Sequence, residues 1–152
     1  MSEGKQIIGY ETMAGGKDQF TSVNAATGEK LSYFFYKATI SEVSLAAEKA
    51  AAAFQLYRKK TGIEKALFLE TIAEEIMNIG EELITVCCTE TALPAGRIQG
   101  ERMRTVNQLK MFANLLKEGS WVDARIETAL PDRTPLPKPD LRFMQIALGP
   151  VL

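Results

Sequence analysis

The stretch ETALPAGRIQGERMRTVNQLKMFA, residues 90 to 113, sets Arg97, Arg102 and Arg104 among Ile98, Val106, Leu109 and Phe112. At about 100° per residue the segment reads as a helix with three faces. Ile98, Val106, Leu109, Phe112, Ala113 and Leu116 share a broad apolar face, and Gln99, Asn107, Lys110, Asn114 and Lys117 share a solvent face. A third stripe runs through Arg97, Glu101, Arg104 and Gln108 and turns apolar at Met111 and Leu115. Arg102 points into the apolar face, between Ile98 and Leu109. A guanidinium in such surroundings needs a carboxylate partner or an anionic ligand. Two readings stand side by side. In one, Arg102 pairs with Glu90 or Glu101. In the other, Arg102 or Arg104 receives a substrate carboxylate, whose two oxygens match the guanidinium fork, with Gln108 one turn further along.

Other chemistry is scarce. The chain has no histidine, which removes the commonest general base and metal ligand. No Cys/His or Ser/His pair can be built from it. Cys87 and Cys88 lack an activating base and converging metal ligands, and they lie on an apolar helix face, so they read as small core side chains. A disulfide between such neighbours would be strained. Neither G-x-G-x-x-G nor G-x-x-x-x-G-K-[ST] occurs. Glu74, Glu75, Glu81 and Glu82 read as solvated helix surface rather than an acid–base pair. Catalytic, cofactor-binding and metal residues are therefore expected to be absent.

The elements around this helix follow from periodicity and punctuation. Ile7–Tyr10, Phe20–Val23 and Leu31–Tyr36 are predicted short strands, with turns at Gly15–Asp18 and Asn24–Glu29. Thr39-Ile40-Ser41-Glu42 is a capping box, and Thr61-Gly62-Ile63-Glu64 repeats it. The first opens a helix to about Lys60 with a stripe of Val43, Ala47, Ala50, Phe54 and Tyr57. The second opens a helix lined by Leu69, Ile72, Ala73 and Ile76, which Gly80 breaks. A short helix carrying Leu83, Ile84, Cys87 and Cys88 follows. Pro94 precedes the arginine-bearing helix, about Ala95 to Lys117, which ends at Gly119. Beyond it, Trp121–Leu130 and Leu141–Leu148 are predicted strands around a stiff connector with Pro131, Pro135, Pro137 and Pro139.

At 152 residues, 46% hydrophobic and 24% charged, the composition is that of an ordinary globular protein with room for a core. A net charge of -1 implies neither nucleic acid nor an anionic membrane as partner. The apolar runs are too short to span a bilayer, the N-terminus lacks a signal-peptide pattern, and a cytoplasmic location is expected.

The segments VNAATGEKL, SEVSLAAEKAAAAF, ALFLETIAEEI, ETALPAGRIQGERMRT and PKPDLRFMQIALGPV resemble the N-terminal part of the NAD(P)-dependent aldehyde dehydrogenase superfamily. The resemblance runs from about Ile8 to Leu152. ETALPAGRIQGER and LPDRTPLPKPDLRFMQIALGPV are most similar to the 2,5-dioxovalerate (α-ketoglutaric semialdehyde) dehydrogenase branch. Met103 and Ala147 depart from that branch, where glycine and proline are expected.

The resemblance implies an α+β chain within the larger α/β aldehyde dehydrogenase fold: short N-terminal strands, a four-helix layer and a C-terminal β arm. Residues 1–119 would pack on a dinucleotide-binding domain. Residues 120–148 would form the arm of the oligomerisation domain, and residues 149–152 the truncated start of the first dinucleotide-binding strand. It implies an enzyme that oxidises an aldehyde, such as 2,5-dioxopentanoate, to the carboxylate with NAD or NADP, and that forms a homo-oligomer. The nucleophile, general base and cofactor loop would all lie outside this chain. Alone, the chain would be inactive and hold no cofactor. The helix over residues 95–117 would flank the substrate tunnel, which favours Arg102, Arg104 and Gln108 as substrate contacts. The other reading is a non-catalytic remnant or association module that binds a partner chain through the β arm.

Overall fold

Two threonines set where the helical half of the molecule begins. In the computed structural model, which describes residues 4–151, the Thr39 hydroxyl accepts the Glu42 amide while the Glu42 carboxylate takes the Thr39 amide, and Thr61 and Glu64 repeat the arrangement. Each box satisfies amide groups that a helix start leaves without partners. They open α1 (Ile40–Tyr57) and α2 (Gly62–Asn78). Then come α3 (Glu81–Thr91) and α4 (Ala95–Glu118).

The core is a seam between α2 and α4, which run antiparallel: Gly62 meets the Leu116 backbone at one end, and Gly80 meets Arg102 at the other. The seam is made of small side chains. Ala66, Ala73 and Ala113 are fully buried, and Val106, at 1% exposure, is the largest side chain so enclosed among the described residues. Gly62 has no room for a Cβ against the Leu116 carbonyl, so the crossing needs glycine there. Ile84 of α3 and Ile98 of α4 extend the buried strip. Lys117 pairs with Glu70 across the two helices.

The strands form three separate antiparallel ribbons: β1 (Gln6–Ile8) with β2 (Glu11–Met13), β3 (Gln19–Val23) with β4 (Lys30–Tyr36), and β5 (Arg125–Glu127) with β6 (Leu141–Phe143). Two-stranded ribbons are marginal alone, and two of these are tied to helices. Lys49 of α1 donates to the Ile8 carbonyl at 3.3 Å and pairs with Glu11. The Ala25 amide, in the turn after β3, donates to the Thr89 carbonyl of α3, and the Tyr33 hydroxyl donates to Glu90 Oε1 at 2.8 Å.

The expected α+β architecture holds, with corrections at the strands. The predicted strand Ile7–Tyr10 is instead the β1–β2 hairpin, because Gly9 adopts φ +67° and turns the chain. Gly15–Asp18 forms an irregular loop rather than a turn, pinned where the Gly15 amide donates to Glu42 Oε1 at 2.8 Å. Trp121 sits in a 3-10 turn (Ser120–Val122), not a strand, and Asp123 at φ +43° breaks extension before β5 begins. The second predicted strand shortens to Leu141–Phe143. The ribbon is exposed along both strands, and an isolated antiparallel bridge between Leu130 and Lys138 continues its pairing. Helix α1 stops at Tyr57, three residues early. Residues 149–151 carry no strand, and Leu152 lies outside the described residues.

Candidate functional site

Helix α4 separates its arginines by partner as well as by angle. Arg97 forms a 2.8 Å ion pair with Glu101, one turn on, at the exposed start of the helix. Arg102 is half-buried, and its Nη1 donates to the Gly80 carbonyl at 2.9 Å. The expectation that Arg102 pairs with Glu90 or Glu101 is therefore corrected. Glu101 is taken by Arg97 and Glu90 by Tyr33, while the corner between α2 and α3 presents a carbonyl within reach. Arg102 Nε is buried without an acceptor among the described residues.

Arg104 and Gln108 are exposed and one turn apart. No ion pair holds Arg104 among the described residues. Exposed Met111 and Leu115 continue their stripe, so this face is polar at its start and apolar at its end. The structure thus groups Arg104 with Gln108 and separates both from Arg102, which lies about 200° around the helix from Arg104. Two open grooves elsewhere, one beside β5–β6 and one beside β3–β4, are lined by neither arginine nor by Gln108.

Cys87 and Cys88 are half-buried on α3. Glu74, Glu75, Glu81 and Glu82 are exposed. Among the described residues no three metal-ligating side chains converge, and no helix is long and apolar enough to cross a membrane.

Glycine 80 was legible in the sequence only as a helix break, and its role as the acceptor for Arg102 carried no signal there. The Tyr33–Glu90 contact joins residues 57 positions apart and was equally silent. Burial, with the adjoining Glu90 carboxylate, raises the Tyr33 phenol above its ordinary pKa.

The model of the aldehyde dehydrogenase family matches residues 12–136. The chain is 44% identical over 153 aligned positions to the α-ketoglutaric semialdehyde dehydrogenase of Acinetobacter baylyi, covering 99% of this chain. It is 41% identical to α-ketoglutaric semialdehyde dehydrogenase 2 of Azospirillum brasilense, covering 98%. It spans 29% of the length of each of these curated relatives. Among solved structures, a succinate-semialdehyde dehydrogenase from Burkholderia pseudomallei superposes with a TM-score of 0.73 at 27% identity, over 86% of this chain and 26% of that one. An NAD-dependent benzaldehyde dehydrogenase from Corynebacterium glutamicum shares the fold with a TM-score of 0.74 at 20% identity, over 89% of this chain and 28% of that one. The two semialdehyde dehydrogenase relatives, the family model and the shared helical layer agree, and the chain belongs to the aldehyde dehydrogenase family.

Proposed function

We propose that this chain is the N-terminal part of a cytoplasmic, homo-oligomeric NAD(P)-dependent aldehyde dehydrogenase that oxidises a semialdehyde with a distal carboxylate, 2,5-dioxopentanoate, to the diacid. The observation that carries the reading is the 44% identity, along 99% of the chain, to a relative named for that semialdehyde. Arg104, which forms no ion pair among the described residues, supports it, since a guanidinium beside Gln108 suits a carboxylate end, and Met111 and Leu115 suit a carbon chain. In this reading residues 1–119 pack on the dinucleotide-binding domain, residues 120–148 join subunits, and residues 149–152 lead into the dinucleotide-binding strands. Exposed Ile126, Phe143 and Ile146 would be covered at the subunit contact.

The starts of α1 and α2, where a phosphate could sit, are filled by the chain's own Glu42 and Glu64. Bound NAD or NADP would accept hydride from the substrate. This chain's own contribution is to receive the substrate's anionic end and orient its aldehyde.

A chimera tests the proposal: this chain replaces the matching segment of the Acinetobacter relative. The chimera should oxidise α-ketoglutaric semialdehyde. Arg104→Met should lower kcat/KM about 10- to 150-fold on that substrate, the worth of a charge-assisted contact, and spare a neutral aldehyde of similar length. A soluble chimera inactive on every aldehyde would overturn the enzyme reading. Equal losses on both substrates would overturn the role of Arg104.

A further inference from the structure

The second arginine of α4 has a different place in the molecule. We propose that Arg102 is a positioning residue: acting through Gly80, it fixes the corner between α2 and α3 against α4 and so sets where the Arg104–Gln108 face lies. The inference rests on the reading of Arg104 as the arginine that faces the substrate.

Three observations carry it. The Nη1–Gly80 bond, 2.9 Å long, joins residues 22 positions apart and ties the only break between α2 and α3 to the body of α4. Gly80 holds φ +67° and ψ −134°, a conformation that L side chains rarely adopt. A Cβ there would meet only the Asn78 carbonyl, at 3.8 Å, so the position needs glycine for its backbone and not for space. That backbone carries the chain from the end of α2 into α3, and the Gly80 carbonyl accepts from Arg102. Finally, Arg102 forms no ion pair among the described residues, and its Nε is buried without an acceptor. Burying an unmatched donor is costly, and methionine or leucine would fill the place without that cost. What arginine adds over them is direction: one donor aimed at one carbonyl.

The arrangement differs from a substrate contact in its response to substitution. A single bond to a carbonyl needs one donor of the right reach, which lysine can supply. A bidentate grip on a carboxylate needs the fork, which lysine lacks. A latch shared by two residues is also lost once, so breaking it from either side removes the same thing.

The experiment uses the chimera with Arg102→Met, Arg102→Lys, Gly80→Ala and the Gly80→Ala/Arg102→Met pair, measuring kcat/KM on the semialdehyde and on a neutral aldehyde, and Tm. Arg102→Met should lower kcat/KM about 10-fold on the semialdehyde and spare the neutral aldehyde, which does not use the Arg104–Gln108 face. Arg102→Lys should stay within about threefold of the parent. Gly80→Ala should reproduce Arg102→Met, and the pair should be no worse than either single change. Equal losses on both substrates, additive losses in the pair, or no rescue by lysine would overturn the proposal. If Gly80→Ala does not fold, the comparison of lysine with methionine still decides. If the parent chimera oxidises no aldehyde, the functional reading fails by itself, and additive Tm losses across the same four proteins would separately overturn the latch.

Discussion

Val106→Ala probes the α2–α4 seam where it is tightest. Val106 is 1% exposed, and the other fully enclosed side chains of the α2–α4 seam are alanines. The change removes two methyl groups, worth about 0.8 kcal/mol each in transfer from water. Neighbouring Ala66, Ala73 and Ala113 have no side-chain rotamers with which to fill the gap, so a cavity term adds to the transfer term. Together these give a loss of about 2–3 kcal/mol, or roughly 5–10 °C in Tm for a chain of this size. Met111→Ala, at a position 56% exposed on the same helix, should cost less than about 0.5 kcal/mol. Urea unfolding followed by circular dichroism at 222 nm measures both variants against the parent. Equal effects, or a Val106→Ala loss below about 0.5 kcal/mol, would show that the seam is not what holds the helices together.

Further outcomes follow from other parts of the molecule. The 152-residue chain alone should show no turnover with aldehyde and NADP, and turnover abolished by Cys87→Ser or Cys88→Ser would contradict this. It should self-associate through its exposed apolar residues, among them Val43, Leu56, Leu67, Phe68 and Ile126, and sedimentation at high concentration showing a cooperatively unfolding monomer would refute that. Hydrogen bonds from Lys60 and from the Thr61 amide and hydroxyl hold the Glu64 carboxyl down at about 2, and bonds from Thr39 and Gly15 lower that of Glu42. A lowered folded pKa stabilises above the ordinary value of 4.5, and that stabilisation is lost as pH falls towards 2. Glu64→Gln should therefore flatten the fall of the urea midpoint between pH 5 and pH 2.5, and an unchanged slope would remove the box from the account. Thr61→Ala should cost about 1 kcal/mol at neutral pH, measured by the same urea titration.

Local chemistry was the readable part of the sequence. Both capping boxes, the break at Gly80 and the stop at Gly119 are written in a few adjacent residues, and each helix falls where those residues put it. The strands were less legible because ribbons this short depend on what they lie against. The chain extends at Leu31–Tyr36, beside β3, but not at Trp121, where Asp123 turns it away. Periodicity placed Arg102 in the apolar face and Arg104 on a third stripe with Gln108; in the structure Arg102 is half-buried and Arg104 exposed. Periodicity could not name the Gly80 carbonyl as the partner of Arg102, because only the antiparallel crossing of α2 and α4 brings the two together. The apolar stripe of α1 shows the converse limit. It has the period of a core helix, yet Val43 and Tyr57 are exposed, because a stripe declares a need for cover without naming what supplies it.

The alanines of the seam also bear on how this molecule can change by mutation. A core of leucine or phenylalanine absorbs an altered neighbour by turning side chains about their bonds. The enclosed alanines of this seam, and Gly62 hard against the Leu116 carbonyl, have no such freedom, so a methyl group added at one of them moves the helix. Helix α4 presents Ala113 to the seam and Arg104 to the opposite side, and a shift at the first displaces the second. Variation in buried residues remote from the arginine face thus becomes a means of re-aiming that face by small steps, with none of the residues on it altered.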